Sequence, residues 1–342
     1  MLIMNVYMMY GANQNSGLTT YTNFLKSHLD FNVFDWKYKN RKERWFAPFK
    51  EIFKIRKLLK EGNIIHVQYH IGEYMPFFLP LLLLFKSRKG KIVLTLHEDY
   101  KNVSSMVRRF HNIFYLAADV LITHTNEHKR FLPFYLQERT VVIPHGVNNY
   151  DKKAVVKKGT ILLPGFIQKW KGHHLAIKAM AHGFHPEYKL IIVGKVMDQA
   201  YFEDLKHLAL KIGVAKQIEW HNEFVPQEEF ERLFLESEVV VLPHLRSTMS
   251  GVLALSLGYS KPCIISDLKE FVEVTKLPGC YYFKAGHFDD LAVKLYNLLE
   301  SDSLRENEVK LFDKLKLLYD WKNIAEQHNN LYSEIATKVL YN

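Results

Sequence analysis

The sequence predicts an α/β protein made of two doubly wound parallel sheets, each in its own domain. Short apolar runs rich in β-branched residues alternate with longer amphipathic stretches, which is the pattern of βαβ units. With 342 residues the chain has room for two domains of about 150 residues each. A polar, lysine-rich stretch, Asn148 to Gly159 (NNYDKKAVVKKG), divides the apolar runs into two series.

The first series gives strands at Leu2 to Met9, Asn63 to Tyr69, Lys91 to Leu96, Val120 to Thr123 and Thr140 to Ile143. The second gives Thr160 to Leu163, Lys189 to Val193, Ile218 to Trp220, Val239 to Leu242 and Cys263 to Ile265. Two such domains, 1–148 and 159–310 joined by a linker over 149–158, place a ligand cleft between the carboxyl ends of their sheets. No basic stretch precedes the apolar opening MLIMNVYMMY and no small-residue cleavage site follows it, so it reads as a buried strand and not a signal peptide. The longest apolar run, Tyr74 to Phe85, carries Pro76 and Pro80 and falls short of the about 20 residues of a spanning helix. A soluble or peripheral protein is expected.

Composition removes several classes. Hydrophobic residues make up 48% of the chain, which excludes disorder as a whole-chain description. The two cysteines, Cys263 and Cys280, are too few for a disulfide framework or a four-thiolate zinc site, and suit a reducing cytosol. The net charge of +10 points to a polyanionic partner: nucleic acid, an anionic membrane or a phosphate-bearing substrate. That excess is concentrated. Lys37 to Gly62 holds ten basic and three acidic residues, 10 − 3 = +7, and no nucleic-acid module accompanies it, so no nucleic-acid partner is expected. Within it Phe49, Ile52, Phe53 and Leu59 fit one helical face. Lys42, Arg44, Trp45, Phe49, Lys50, Phe53, Lys54 and Lys57 form a candidate patch for an anionic membrane. The alternative is a solvated helix whose apolar face packs on its own sheet.

Three loops after strands carry the candidate chemistry. The first runs from Gly11 to Gly17 into a helical pattern, and backbone N–H groups at such a turn attract phosphate or carboxylate. Its spacing is neither GxGxxG nor a P-loop, which argues against hydride transfer and P-loop triphosphatase chemistry. The second, Pro164 to His174, sets Gly165, Lys169 and Lys171 just before a helix, where ammonium groups can neutralise a diphosphate leaving group. The third, Pro243 to Leu253, offers Thr248 and Ser250 as N-caps, with the amides of Ser250, Gly251 and Val252 available to phosphate oxygens. His66 and His70 share the i, i+4 spacing of a zinc helix, yet no glutamate follows His66 and HVQYH reads as a strand end. His173 and His174 read as a helix start, and no nucleophile elbow supports hydrolase chemistry.

Taken together these pieces resemble the GT-B-fold retaining glycosyltransferases of family 4 (glycosyl transferases group 1). The marks are HVQYHIG (His66 to Gly72), VLTLHE (Val93 to Glu98), VIPHGV (Val142 to Val147), PGFIQKWKG (Pro164 to Gly172), SGVLALSLGYSKP (Ser250 to Pro262) and DWKNIAEQHNNLY (Asp320 to Tyr332). The resemblance implies two Rossmann-like domains facing a central cleft, with a C-terminal helix, 311–342, packing back on the first. It implies a hexose moved from a UDP- or GDP-sugar to a glycan or lipid-linked acceptor, in the cytoplasm or on the inner face of the cell membrane. His97 and Lys171 would be catalytic. Gly17, Gly165, Lys169, Thr248, Ser250, Gly251, Val252 and Leu253 would bind the donor, and Glu98 and His70 would lie near sugar or acceptor hydroxyls. No cofactor is expected beyond the donor, and no metal, since no DxD-type pair marks a divalent site.

Two positions depart from the family pattern. Phe166 stands where an arginine is common, with Lys169 as the replacement charge. The usual glutamate pair falls on Ser247 and Leu255, and leucine cannot bind a ribose. A non-hydrolysing nucleotide-sugar epimerase and an inactive scaffold of the same fold are the alternatives.

Overall fold

The computed structural model describes residues 5–11, 17–36, 52–70, 89–97, 104–152, 154–222, 225–246, 250–276 and 281–341. The chain divides into two compact units, Met1–Gly146 with Trp321–Asn342, and Val147–Asp320. The first contains β1 (Val6–Gly11), α1 (Gly17–Lys26), β2 (Asn32–Trp36), α2 (52–60), β3 (Ile64–Tyr69), β4 (Lys91–Leu96), α3 (Ser105–Tyr115), β5 (Val120–Thr123), α4 (Asn126–Arg130), α5 (Phe134–Gln137) and β6 (Thr140–Val142). Its strands pair in parallel in the order β2-β1-β3-β4-β5-β6, so the order reverses between β1 and β3. Strand β3, IIHVQY, is buried at every position, as a parallel strand covered on both faces must be.

The second unit contains β7 (Thr160–Pro164), a 3₁₀ turn (Lys169–Lys171), α6 (His173–Met180), β8 (Lys189–Val193), α7 (Gln199–Lys211), β9 (Ile218–His221), α8 (Gln227–Glu236), β10 (Val239–Leu242), α9 (Gly251–Gly258), β11 (Cys263–Ser266), α10 (Lys269–Val274), β12 (Tyr281–Phe283), α11 (Phe288–Glu300) and α12 (Asp302–Leu318). The parallel order is β12-β11-β10-β7-β8-β9, with the reversal between β7 and β10. In open sheets ligands bind outside the carboxyl ends of the strands at such reversals. The last helix, α13 (Trp321–Tyr341), belongs to the first unit.

Helices cover both faces of each sheet. In the first unit Tyr21 and Leu25 of α1 and Ile324 and Tyr332 of α13 share a core with Met8, Ile64 and Val93. On the opposite face Ile55 and Leu59 of α2, Tyr115 of α3 and Leu136 of α5 pack with Tyr69 and Leu94. Trp321 anchors α13: it is 2% exposed, and its ring lies 5.1 Å from Tyr21 and 5.6 Å from His145. A Cβ on Gly146 would fall 2.2 Å from the same ring, so glycine is what lets the chain pass there.

Each of the ten expected strands is present, with ends shifted by a few residues. Two edge strands, β2 and β12, were not expected, because neither NVFDW nor YYF is the continuous apolar run that burial on both sides produces. Three expectations need correction. The supposed linker 149–158 is held on the second unit: the Tyr150 amide donates to the Gly258 carbonyl at 3.1 Å, and its ring stacks on Tyr259 at 4.1 Å. Lys152 and Lys157 pair with Glu231 and Glu236 of α8 at 2.8 and 2.7 Å. The closing segment is two helices, not one from 311. Leu311, Phe312 and Leu315 of α12 fill the second unit's core, and the chain turns at Tyr319, whose carbonyl accepts from the Val147 amide at 2.8 Å. Lastly, Phe53 does not share the buried face of its helix. Ile52, Ile55, Leu58 and Leu59 point inward, and Phe53 is 73% exposed beside Lys54 and Lys57. Lys42, Arg44, Trp45, Phe49 and Lys50 lie outside the described residues.

Replacing a buried tryptophan by alanine typically costs about 3–5 kcal/mol. Trp321→Ala is therefore expected to lower the first unit's unfolding free energy, measured in urea, by that order while leaving the second unit's transition in place; a loss below about 1 kcal/mol would show that α13 is not anchored there.

Candidate active site

The second unit brings two of the three loops together at the carboxyl ends of β7 and β10. Gly165, directly after β7, has φ 120°, in the range that favours glycine. A Cβ there would come 4.0 Å from Lys171 Nζ and 4.0 Å from Val252 Cγ2. The Lys171 ammonium, a bare glycine and the first turn of α9 thus converge on one spot. Gly172 allows the loops to meet: its φ is 74°, and a Cβ there would collide with the Pro243 carbonyl oxygen at 1.8 Å. The Leu245 amide donates to the Trp170 carbonyl at 2.8 Å and ties the loops together.

Lys171 Nζ donates to His244 Nε2 at 2.6 Å and lies 4.5 Å from the Trp170 ring centroid. An ammonium has three hydrogens, so two remain for an anion. Burial lowers the Lys171 pKa to about 8. The same burial, with the Lys171 charge beside it, holds His244 neutral, which leaves Nε2 free to accept. Arg246 adds a second cation by Trp170, 5.7 Å from its ring centroid. At α9, Ser250 caps the helix by accepting from the Leu253 amide at 3.3 Å, and no acidic residue stands in the first turn. The dipole and the free amides of Gly251 and Val252 then favour an anion.

In the first unit a histidine follows each of four neighbouring strands. His70, His97 and His124 come directly after β3, β4 and β5, and His145 comes three residues after β6. Three of them surround Tyr21, whose ring lies 5.0, 5.4 and 5.1 Å from His97, His124 and His145. The Ile143 carbonyl only accepts, so His124 Nδ1 donates to it at 3.0 Å. Burial drives the His124 pKa to about 3, so the ring is neutral. Burial, then the neighbouring His124 and His145, hold His97 neutral as well, and its Nε2 donates to Gln68 Oε1 at 2.8 Å. The Gln68 amide NH₂ in turn donates to Met8 Sδ at 3.1 Å. His97 Nδ1 lies 3.4 Å from His124 Nε2.

The remaining expected residues fall as follows. Gly17 opens α1, and Gly165, Lys169, Lys171, Ser250, Gly251, Val252 and Leu253 lie on the two loops of the second unit. Glu98 and Thr248 lie outside the described residues. His70 is exposed, whereas His66 is fully buried and bonded to Tyr332 at 2.6 Å and Thr95 at 2.7 Å, which commits both its nitrogens. No group of metal-binding side chains occurs among the described residues. Leu255 packs against the core of the second unit, so nothing acidic replaces the missing carboxylate at that position. Sequence reasoning missed Gln68, His124, His145, His244 and Arg246. Their common signal is a polar residue in or just after a parallel strand.

Comparison with known proteins then decides the class. Glycosyltransferase Family 4 matches residues 22–149, and Glycosyl transferases group 1 matches 148–310. The chain is a family 4 glycosyltransferase of the GT-B type. An uncharacterized glycosyltransferase of Methanocaldococcus jannaschii is 26% identical over 188 residues, a match spanning 53% of this chain and 46% of that one, so the shared part is about half the relative's length. Among solved structures, Anabaena HepE in complex with UDP superposes with a TM-score of 0.77 at 14% identity, covering 97% of this chain and all of that one. HepE is also known with UDP-glucose bound, at a TM-score of 0.74. Sucrose-phosphate synthase of Thermosynechococcus elongatus gives 0.71 at 15% identity, over 98% of this chain and all of that one. At these identities the superpositions speak for the fold alone.

For this glycosyltransferase, a nucleoside diphosphate should bind best below pH 8. Above it the folded lysine loses the proton that makes it attractive to an anion, while the phosphates, with a last pKa near about 6, are already ionised. A charged hydrogen bond of about 1.5–3 kcal/mol corresponds to a roughly ten- to hundredfold loss. Calorimetry at pH 7 and 9.5 should show that loss in the wild type and a flat response in Lys171→Met; an equal pH response in both would remove Lys171 from the site.

Proposed function

We propose that the protein is a retaining hexosyltransferase that moves a sugar from a nucleoside diphosphate to a glycan or lipid-linked acceptor of the cell envelope. One observation carries the reading: the Lys171 ammonium meets Gly165 and the first turn of α9 at the strand-order reversal of the second unit. That is a cationic spot with backbone amides on one side. The HepE structures hold UDP and UDP-glucose, which supports a uridine donor over GDP.

In this mechanism the C1–O bond to the β-phosphate breaks and the diphosphate departs with the electron pair. The acceptor hydroxyl attacks C1 from the same face, and its proton passes to the departing phosphate oxygen. Stabilising the leaving diphosphate is the protein's main task, performed by Lys171, Lys169 or Arg246, and the α9 amides. His97 is the residue the family resemblance assigns to the transferred sugar, and with its Nε2 held by Gln68 the ring would serve as a fixed neutral surface. The lysines supply the charge a divalent ion would otherwise bring. An acceptor on a lipid places the enzyme on the inner face of the membrane; no helix among the described residues is long and apolar enough to cross it.

Leu255 favours a second reading, an inactive scaffold, because its side chain cannot hold a ribose. Proton NMR of UDP-glucose with the enzyme separates the readings. Slow release of UDP and sugar that is initially the α-anomer supports retention. A new nucleotide-sugar epimer without UDP release identifies an epimerase, and donor unchanged in the presence of envelope glycolipid extract identifies a scaffold.

A further inference from the structure

We propose that the outer side of the α2, α3 and α5 layer of the first unit is a docking surface for an anionic lipid membrane. The observation behind it is an inverted helix. Helix α3 turns Tyr115, His111 and Asn112 inward, at 0, 5 and 9% exposure, and His111 Nδ1 bonds the buried Tyr69 hydroxyl at 2.7 Å. Its apolar residues face out: Met106 is 77% exposed, Phe110 41% and Ile113 55%. The spacing i, i+4, i+7 puts them on one stripe, with the exposed Arg109 in it. A soluble helix of this kind normally does the reverse.

The neighbouring helices repeat the feature. Phe53 of α2 stands out at 73% with Lys54, Arg56, Lys57 and Lys60 exposed around it, and Phe134 and Tyr135 of α5 stand out at 74 and 47%. All three helices pack on the same core, hence on the same face of the sheet. The opposite layer exposes no large apolar side chain over 18–26 of α1 and 321–337 of α13, the parts whose side-chain exposure is described. The charge is equally one-sided. Helices α2 and α3 carry six basic residues, Lys54, Arg56, Lys57, Lys60, Arg108 and Arg109, and no acidic one. Bulky apolar side chains at intervals among lysines and arginines are what a lipid interface takes: the apolar groups enter the acyl boundary and the cations stay with the headgroups.

This inference extends the proposed function to a surface, and its test does not involve sugar transfer, so either can fail alone. The full chain is floated with vesicles of phosphatidylcholine, with and without about one third phosphatidylglycerol, at low salt and at about 0.5 M salt. Binding to the anionic vesicles at low salt is expected, with a roughly tenfold weaker partition for Met106→Ser/Ile113→Ser and for Phe53→Ser. Lys54→Gln/Lys57→Gln should weaken binding at low salt only. Because all five side chains are exposed, thermal transitions should match the wild type. Three results would overturn the proposal: equal binding to neutral vesicles, wild-type binding by both apolar variants, or no vesicle binding together with self-association that Ile113→Ser abolishes. The last would make the face an interface between copies of this chain.

Discussion

Every strand pairing in both sheets is parallel, and this constraint arranges the rest of the molecule. Parallel strands send all their carboxyl ends to one edge of the sheet, so the loops that follow them are neighbours however far apart they lie in sequence. Gly165 and Ser250 are 85 residues apart, yet β7 and β10 are adjacent and their loops share Lys171. The same constraint lines up His70, His97, His124 and His145 along the edge of the first sheet. Because both faces of a parallel sheet need covering, it also calls for a helix at the end of the chain, and α13 with Trp321 supplies it.

The two functional clusters use burial in opposite ways. At Lys171 burial holds a cation close to losing its proton, so an incoming diphosphate restores what desolvation took away. At His97 burial removes charge entirely, and the hydrogen bond from its Nε2 to Gln68 Oε1 fixes the ring. On the proposed mechanism the first would meet a developing negative charge and the second a neutral sugar. This division fits a reaction whose charge change falls mainly on the leaving group.

Much of this was legible in the sequence, and the exceptions have physical causes. Strands buried on both faces announce themselves as apolar runs, which is why β3, β4 and β7 were readable and the edge strands β2 and β12 were not. The loop residues Gly165, Lys171 and Ser250 were readable because glycine before a helix, and serine at its cap, have few other uses. The break at Tyr319 was hidden, since a long amphipathic stretch looks the same whether it serves one core or two. Periodicity also identifies which residues share a face without saying which face looks inward. Phe53 was therefore grouped on one face with Ile52 and Leu59, which look inward, and the outward stripe of α3 passed unnoticed. Histidines 124 and 145 were missed for a related reason: one polar residue after a strand means little until the strands are aligned.

The most direct test of the central claim is a thermal-shift panel of UDP-, GDP-, ADP- and CMP-sugars on the wild type and on Lys171→Ala. A ligand that binds only the folded state raises stability as ln(1 + [L]/Kd), so modest affinity is enough to register. The account predicts a shift with UDP-sugars that Lys171→Ala reduces. No shift with any nucleotide sugar, or one that Lys171→Ala leaves intact, would contradict it.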